Sequence, residues 1–310
     1  RFLLLFIALV LFDGSLRFSH ANSQCEKLFK PTLRVAAVQY PIEWNKDLNA
    51  FLRALEDHVS DAKAQGAELV VFPELPILDM LDPSRPEESQ LRELATSITP
   101  VIFQHALALA RSMNISVLAG SYPRLNSNAD IVNTAVLAFP DGRSVYQDKL
   151  FLTPDEISWH WVPGDDLKVF NAPWGKSVIL ICYDCEIPMI SSILAKEKPE
   201  IFLIPSMTGE KGFYRVRWAA QARAVEHYAF AVHTGTVDEK GADLHGQAAI
   251  LTPQDTGFPG VLAEGTKNRR QVLTGVLDLD HLRERRESAG IYPAKHQSER
   301  RKKIILTRLK

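Results

Sequence analysis

Residues 177–188 read SVILICYDCEIP, and the placing of this stretch decides the fold. Ser177 to Ile181 is a largely apolar run of the length and kind found in buried strands. Cys182 ends it, and the pattern over Ile187 to Lys198 is helical. A strand that turns sharply into a helix exposes the side chain at the turn. It also brings the positive end of the helix near that side chain, which lowers a thiol pKa. Cys182 is thus a candidate nucleophile. A buried core cysteine, or a Cys182-x-x-Cys185 redox or metal pair, are the other readings. No second cysteine pair is present to complete a zinc site.

Strand–helix alternation continues on both sides of this stretch. Leu33 to Tyr40 reads as a buried strand, and Asn45 to Gln65 as an amphipathic helix with Leu48, Phe51, Leu55 and Val59 on one face and Gly66 at its end. Leu69 to Phe72 is a second strand. A helix capped by Thr99, with Pro100 at its first position, runs to Met113 and leads into a strand over Ile115 to Ser121. Leu81 to Gln90 reads as a polar loop. Ile131 to Phe139 and Arg143 to Tyr146 form a hairpin about Pro140-Asp141-Gly142. Beyond Cys182, strands are expected at Ile201–Ile204, 230–236, 247–252 and 272–279, with a helix over Tyr214 to His227. The class is α/β with a mixed sheet, and the two βα-type halves point to an αββα sandwich of two sheets.

The ends of the chain differ from its middle. RFLLLFIALVLF at residues 1–12, followed by Ser19-His20-Ala21, has the length and small-x-small ending of a signal peptide over 1–21. A secreted or periplasmic protein is expected, an uncleaved anchor being the alternative. One domain over residues 32–280 accounts for the bulk. A basic extension over 281–310 reads as a solvated or partner-covered tail. The net charge of −1 gives no reason to expect nucleic acid or a membrane surface as partner. The cysteines, Cys25, Cys182 and Cys185, are odd in number, so an exported chain keeps at least one free thiol. Asn114-Ile115-Ser116 has the pattern of a glycan acceptor in a eukaryotic secretory setting.

Two more strand ends carry reactive side chains. Glu74 follows VVFP at the end of a buried strand. Half-desolvated there, a carboxylate gains pKa and can act as a base; a loop or helix cap is the plainer reading. Lys149, in YQDKL just past a strand, is an oxyanion-stabilising cation if buried and an ordinary surface lysine if not.

Taken together and in order, VVFPEL with Glu74, QDKLFLTP with Lys149 and LICYDCEIP with Cys182 resemble the nitrilase superfamily, the carbon–nitrogen hydrolases. ARAVEH at 222–227 matches a further stretch of that family, and the likeness runs from Leu33 to Asp280. It departs at Cys185 and Glu186, where many relatives carry an apolar or basic residue. The resemblance implies an αββα fold, a homodimer or larger homo-oligomer, and no cofactor or metal. It implies Glu74 as general base, Lys149 as the cation that stabilises the intermediate and Cys182 as nucleophile. Glu156, in LTPDEISWHWVPGDD, is the counterpart of the family's second glutamate, with Asp155 as fallback because the spacing to Pro163-Gly164 is one residue off. It further implies that the backbone N–H of Tyr183 steadies developing charge, and that Met207 and Thr208 line the substrate pocket with Trp159 nearby. Arg215 and Arg217 are candidates to bind a substrate carboxylate, whereas His233 and His245 read as structural. The expected activity is an amidase acting on a small amide through a thioester. A nitrilase, an N-acyltransferase and a catalytically silent binding ectodomain are the alternatives.

Overall fold

The fold, a computed structural model, describes residues 29–238, 244–300 and 303–308. The expected signal peptide (1–21) and Cys25 lie outside these residues. In the first strand, β1 (Thr32–Pro41), Leu33, Val35 and Ala37 face one way and Ala36, Val38 and Tyr40 the other, and all six are fully buried. A strand apolar on both faces belongs inside a layered structure. After α1 (Leu48–Ala64) comes β2 (Leu69–Val71), parallel to β1; after α2 (Glu87–Glu93) and α3 (Thr99–Ser112) comes β3 (Ser116–Leu125), parallel to β2. Parallel neighbours require such crossovers. The hairpin β4 (Ile131–Ala138) and β5 (Ser144–Asp148) extends the sheet antiparallel to β3.

The second half repeats the plan. A short helix α4 (Pro154–Ser158) leads to β6 (Val169–Ala172) and β7 (Gly175–Ile179); α5 (Pro188–Leu194) and α6 (Glu210–His227) flank β8 (Ile201–Ile204). Next come β9 (Phe230–His233), β10 (Gly235–Val237), β11 (Ala249–Asp255), β12 (Phe258–Glu264) and β13 (Gln271–Asp278), and the helices α7 (Leu279–Ser288) and α8 (Pro293–Glu299). One sheet has the order β10-β1-β2-β3-β4-β5, with β13 also paired to β1; the other runs β12-β11-β9-β8-β7-β6. Phe51, Leu55 and Val59 of α1 and Ile102 and Ala106 of α3 cover the outer face of the first sheet. Ile190 and Leu194 of α5 and Val216, Ala220 and Ala224 of α6 belong to the core that holds the second sheet and the inner face of the first. The layers are helix, sheet, sheet, helix, as expected.

Several elements differ from the sequence reading. The polar stretch Leu81–Gln90 contains the start of α2, whose Leu91 is buried. A single π-helical stretch, Leu94–Ile98, joins α2 to α3, so Thr99 lies inside a continuous helical run and its hydroxyl caps nothing. The run 230–236 is two strands in two different sheets. The chain crosses at Thr234, whose N–H reaches the Ile204 carbonyl at 3.2 Å and whose hydroxyl reaches that of Phe72 at 3.4 Å. The basic stretch begins packed on the body. Leu279 and Leu282 are buried, Arg283 pairs with Glu200 at 2.9 Å, and Arg286 donates to the carbonyl of Tyr228 at 2.8 Å.

Candidate active site

Glu74, Lys149 and Cys182 each follow the carboxyl end of a strand, β2, β5 and β7 respectively, and those ends meet. Glu74 lies past the end of β2, bridged to Ser121 of β3, and its N–H points at the Ser206 carbonyl beyond β8 at 3.4 Å. That places it between the sheets, 2 % exposed. Oε1 accepts from Lys149 Nζ at 2.7 Å and from Asn133 Nδ2 at 3.0 Å; Oε2 accepts from the Met207 N–H at 3.1 Å.

Lys149 is held by its backbone. Its N–H donates to the Asn133 carbonyl at 2.8 Å, and its own carbonyl accepts from the Gly164 N–H at 2.7 Å. A Cβ at Gly164 would stand 2.6 Å from that of Asp148, so only glycine fits beside this turn. The ammonium, 1 % exposed, lies 2.7 Å from oxygens of both Glu74 and Glu156. Glu156 is the third residue of α4. Its Oε2 accepts from the N–H and hydroxyl of Thr153 at 2.9 and 3.0 Å, a capping box that locks the carboxylate in place. Its Oε1 accepts from Asn133 Nδ2 at 2.8 Å. Of the two candidates, Glu156 is buried against Lys149, and Asp155 is exposed.

Cys182 opens a one-turn 3-10 segment, Cys182–Glu186, in the left-handed region with φ 48°. A non-glycine residue held there stores strain, as side chains at functional turns often do. Its N–H donates to the Pro205 carbonyl at 2.9 Å, and its Sγ lies 3.5 Å from the Met207 carbonyl, beside the Glu74 carboxyl. The Asp184 carboxylate accepts from the N–H groups of Leu150, Phe151 and Ile181 at 3.1, 2.8 and 3.3 Å. It pins the cysteine turn to the lysine segment.

The electrostatics correct one expectation. The thiol of Cys182 stands well above its ordinary pKa, raised by burial and by Glu74, with Lys149 pulling the other way. The 3-10 turn is too short to supply much of a dipole, and Lys149 already serves two carboxylates. Burial also raises Glu74, against the pull of Lys149. For Lys149, burial works against the charged form, but Glu74 and Glu156 outweigh it and hold the ammonium above its ordinary value. Asp184 is raised to about 7 by burial, opposed by the backbone N–H groups it accepts from.

A cavity of about 220 Å³ opens over Glu74, Lys149 and Glu156, walled by Thr153, Trp159, Met207 and Thr208. Trp159, Met207 and Thr208, named above as substrate-pocket candidates, are among the residues that line it. Tyr183 is not among the lining residues; its ring lies beneath the guanidinium of Arg215. Neither arginine reaches the cavity, because Arg215 pairs with Glu186 and Arg217 with Glu264. His233 is buried and held neutral, its pKa lowered to about 3 by burial and by Arg217. Cys182 and Cys185 are both free thiols, Cys185 lying under α6 with its sulfur 3.8 Å from the Val216 carbonyl. Among the described residues no group of three or more His, Cys, Asp or Glu could hold a metal ion. Asn133 and Asp184 were missed by the sequence reading. The one signal for Asn133 is an amide inside the apolar strand IVNTAVLA.

Comparison with known proteins assigns the class. The sequence pattern of the carbon-nitrogen hydrolase family matches residues 34–287, and the chain belongs to that family. It is 30% identical to the probable hydrolase YhcX of Bacillus subtilis over 271 residues, covering 84% of this chain and 52% of YhcX, so it spans about half the length of that relative. It is 26% identical to an (R)-stereoselective amidase of Pseudomonas, over 78% of this chain and 88% of that enzyme. Among solved structures it is similar in fold to Nit3 of Saccharomyces cerevisiae, of the nitrilase superfamily, with a TM-score of 0.72 at 21% identity, covering 86% of this chain and 97% of that one.

Proposed function

We propose that this carbon–nitrogen hydrolase is an amidase that cleaves small amides through a thioester on Cys182. The observation that carries the reading is one buried ammonium, Lys149, 2.7 Å from each of two carboxylates that line the same cavity, with the Cys182 thiol beside Glu74. The amidase relative adds support. Glu74, as carboxylate, takes the thiol proton while the sulfur attacks the carbonyl carbon. A thiol with a raised pKa needs such a base at hand. Lys149 balances the negative charge that gathers on the substrate oxygen. The protonated Glu74 hands its proton to the departing nitrogen, ammonia leaves, and the acyl group stays on sulfur. Water, deprotonated by Glu74, then attacks the thioester, and the acid is released as the thiol regains its proton. Glu156 and Asn133 hold Lys149 and Glu74 in register throughout.

Ammonia release from matched small amides and nitriles tests this. Amides turned over by the wild-type protein, and by no Cys182→Ala preparation, support it; nitriles turned over in preference make the protein a nitrilase. Two further proposals accompany this reading. The chain acts outside the cytoplasm, on the strength of residues 1–21. It works as a homo-oligomer, for which the exposed Met189 and Ile193 of α5 and Tyr214 and Trp218 of α6 offer apolar surface.

A further inference from the structure

The cavity over the catalytic cluster has a lopsided charge. Among the described residues lining it, Glu74, Asp155 and Glu156 bear carboxylates and Lys149 alone bears a cation, already paired with Glu74 and Glu156. A substrate therefore meets no free positive group there among the described residues. Asp155 differs from the other two carboxylates. It stands exposed at the cavity wall, and no ion pair among the described residues neutralises it. Trp159 lines the same wall, its ring centroid 5.2 Å from that of the buried Trp161. Glu87, the first residue of α2, lies close to both Trp159 and Asp155. An indole flanked by carboxylates attracts a cation twice, through charge and through the negative face of the ring. The same carboxylates repel an anionic group, which gives selectivity by exclusion.

We propose that the site selects amides whose acyl part carries a positive charge, an ω-amino or ω-guanidino chain, with the cation seated between Trp159 and Asp155. This rests on the amidase reading above. The scissile carbonyl sits over Cys182 and Lys149 while the charged end reaches the wall, and after ammonia leaves the acyl chain stays anchored at both ends. Amides ending in a carboxylate are excluded.

Three amides of equal chain length test it: 5-aminopentanamide, hexanamide and the half-amide of adipic acid, with the shorter homologues of each run alongside. Ammonia release should show kcat/KM highest for the amino compound, by about tenfold over the methyl one, and lowest for the carboxylate. High salt should narrow the spread, because Asp155 is exposed to solvent. Asp155→Asn should shrink the amino-over-methyl ratio to about twofold or less, chiefly through KM. Three amides turned over alike, or the carboxylate turned over best, with Cys182→Ala inactive, would overturn the charge assignment and leave the amidase standing. An unchanged ratio in Asp155→Asn would remove Asp155 from the cation site. Turnover of none of the three, at any length, would overturn both readings.

Discussion

Cys182 and Cys185 lie in one short turn, Cys182–Glu186, and their surroundings diverge within three residues. Both are buried free thiols, and burial is the main cause of a raised pKa in each. Cys182 has the Glu74 carboxyl and the Lys149 ammonium beside it and a left-handed backbone; Cys185 faces the underside of α6. The difference teaches that resting acidity does not single out the thiol proposed as nucleophile. What marks it is a proton acceptor in reach, a fixed cation and a neighbouring cavity.

The comparison breaks most sharply by deleting one sulfur at a time. Cys182→Ala should abolish amide turnover, a loss on the order of 10⁴-fold or more. Cys185→Ala should keep kcat within about threefold and cost about 1 kcal/mol of stability from the small void. Activity assays beside thermal melts decide this, and an inactive Cys185→Ala that melts normally would end the distinction.

Removing the neighbours is the next largest test. Glu74→Gln takes away the base and should lower kcat by about 10³-fold. In the proposed mechanism the wild-type Glu74 carboxylate must be ionised. Since Glu74 is raised above the ordinary glutamate value, the acid limb of kcat/KM should fall at higher pH than a solvent-exposed glutamate would give. Asn133→Ala, which removes one donor from each carboxylate, should reduce kcat by roughly 10- to 100-fold while KM changes little. A pure KM effect would show that Asn133 touches substrate instead.

Glu74 and Cys182 were legible as candidates because each closes an apolar run, and runs of that kind are what single-sequence patterns record best; Lys149, preceded by Gln147 and Asp148, stood out only beside them through the family resemblance. The polar groups that hold the centre together were not legible. Asn133 hides in a strand whose other residues are apolar, and Asp184 looks like any turn aspartate until the Lys149 segment folds back onto it. Long-range hydrogen bonds leave no periodicity. The split of 230–236 was hidden for a related reason: both strands are fully buried, so the apolar run is continuous across the crossing at Thr234. β12 went unseen because Pro259 and Gly260 interrupt its pattern, Gly260 with φ 82°. Glu156 emerged only through resemblance to relatives, as its own capping box reads like an ordinary helix start.

Asp184 gives the smallest and most specific effect. Its carboxyl titrates at about 7 in the folded protein against 3.8 as the ordinary value, and burial is the cause. At low pH both states hold the proton. As pH rises between those two values the unfolded chain releases it and the folded protein keeps it, so the unfolded state gains at each step. Above the folded value both have released it and the loss is complete. This group therefore lends its stability at acid pH and withdraws it towards neutrality, with a slope of at most about 1.4 kcal/mol per pH unit. Asp184→Asn keeps one oxygen to accept from the Leu150 and Phe151 N–H groups but has no proton to release. Its stability should vary less with pH across that window than the wild type, while Glu74, raised in the same direction, stays common to both proteins. Denaturant melts of the two proteins at a series of pH values measure the difference. Parallel curves would mean that Asp184 is already ionised in the fold and that its three backbone donors outweigh its burial.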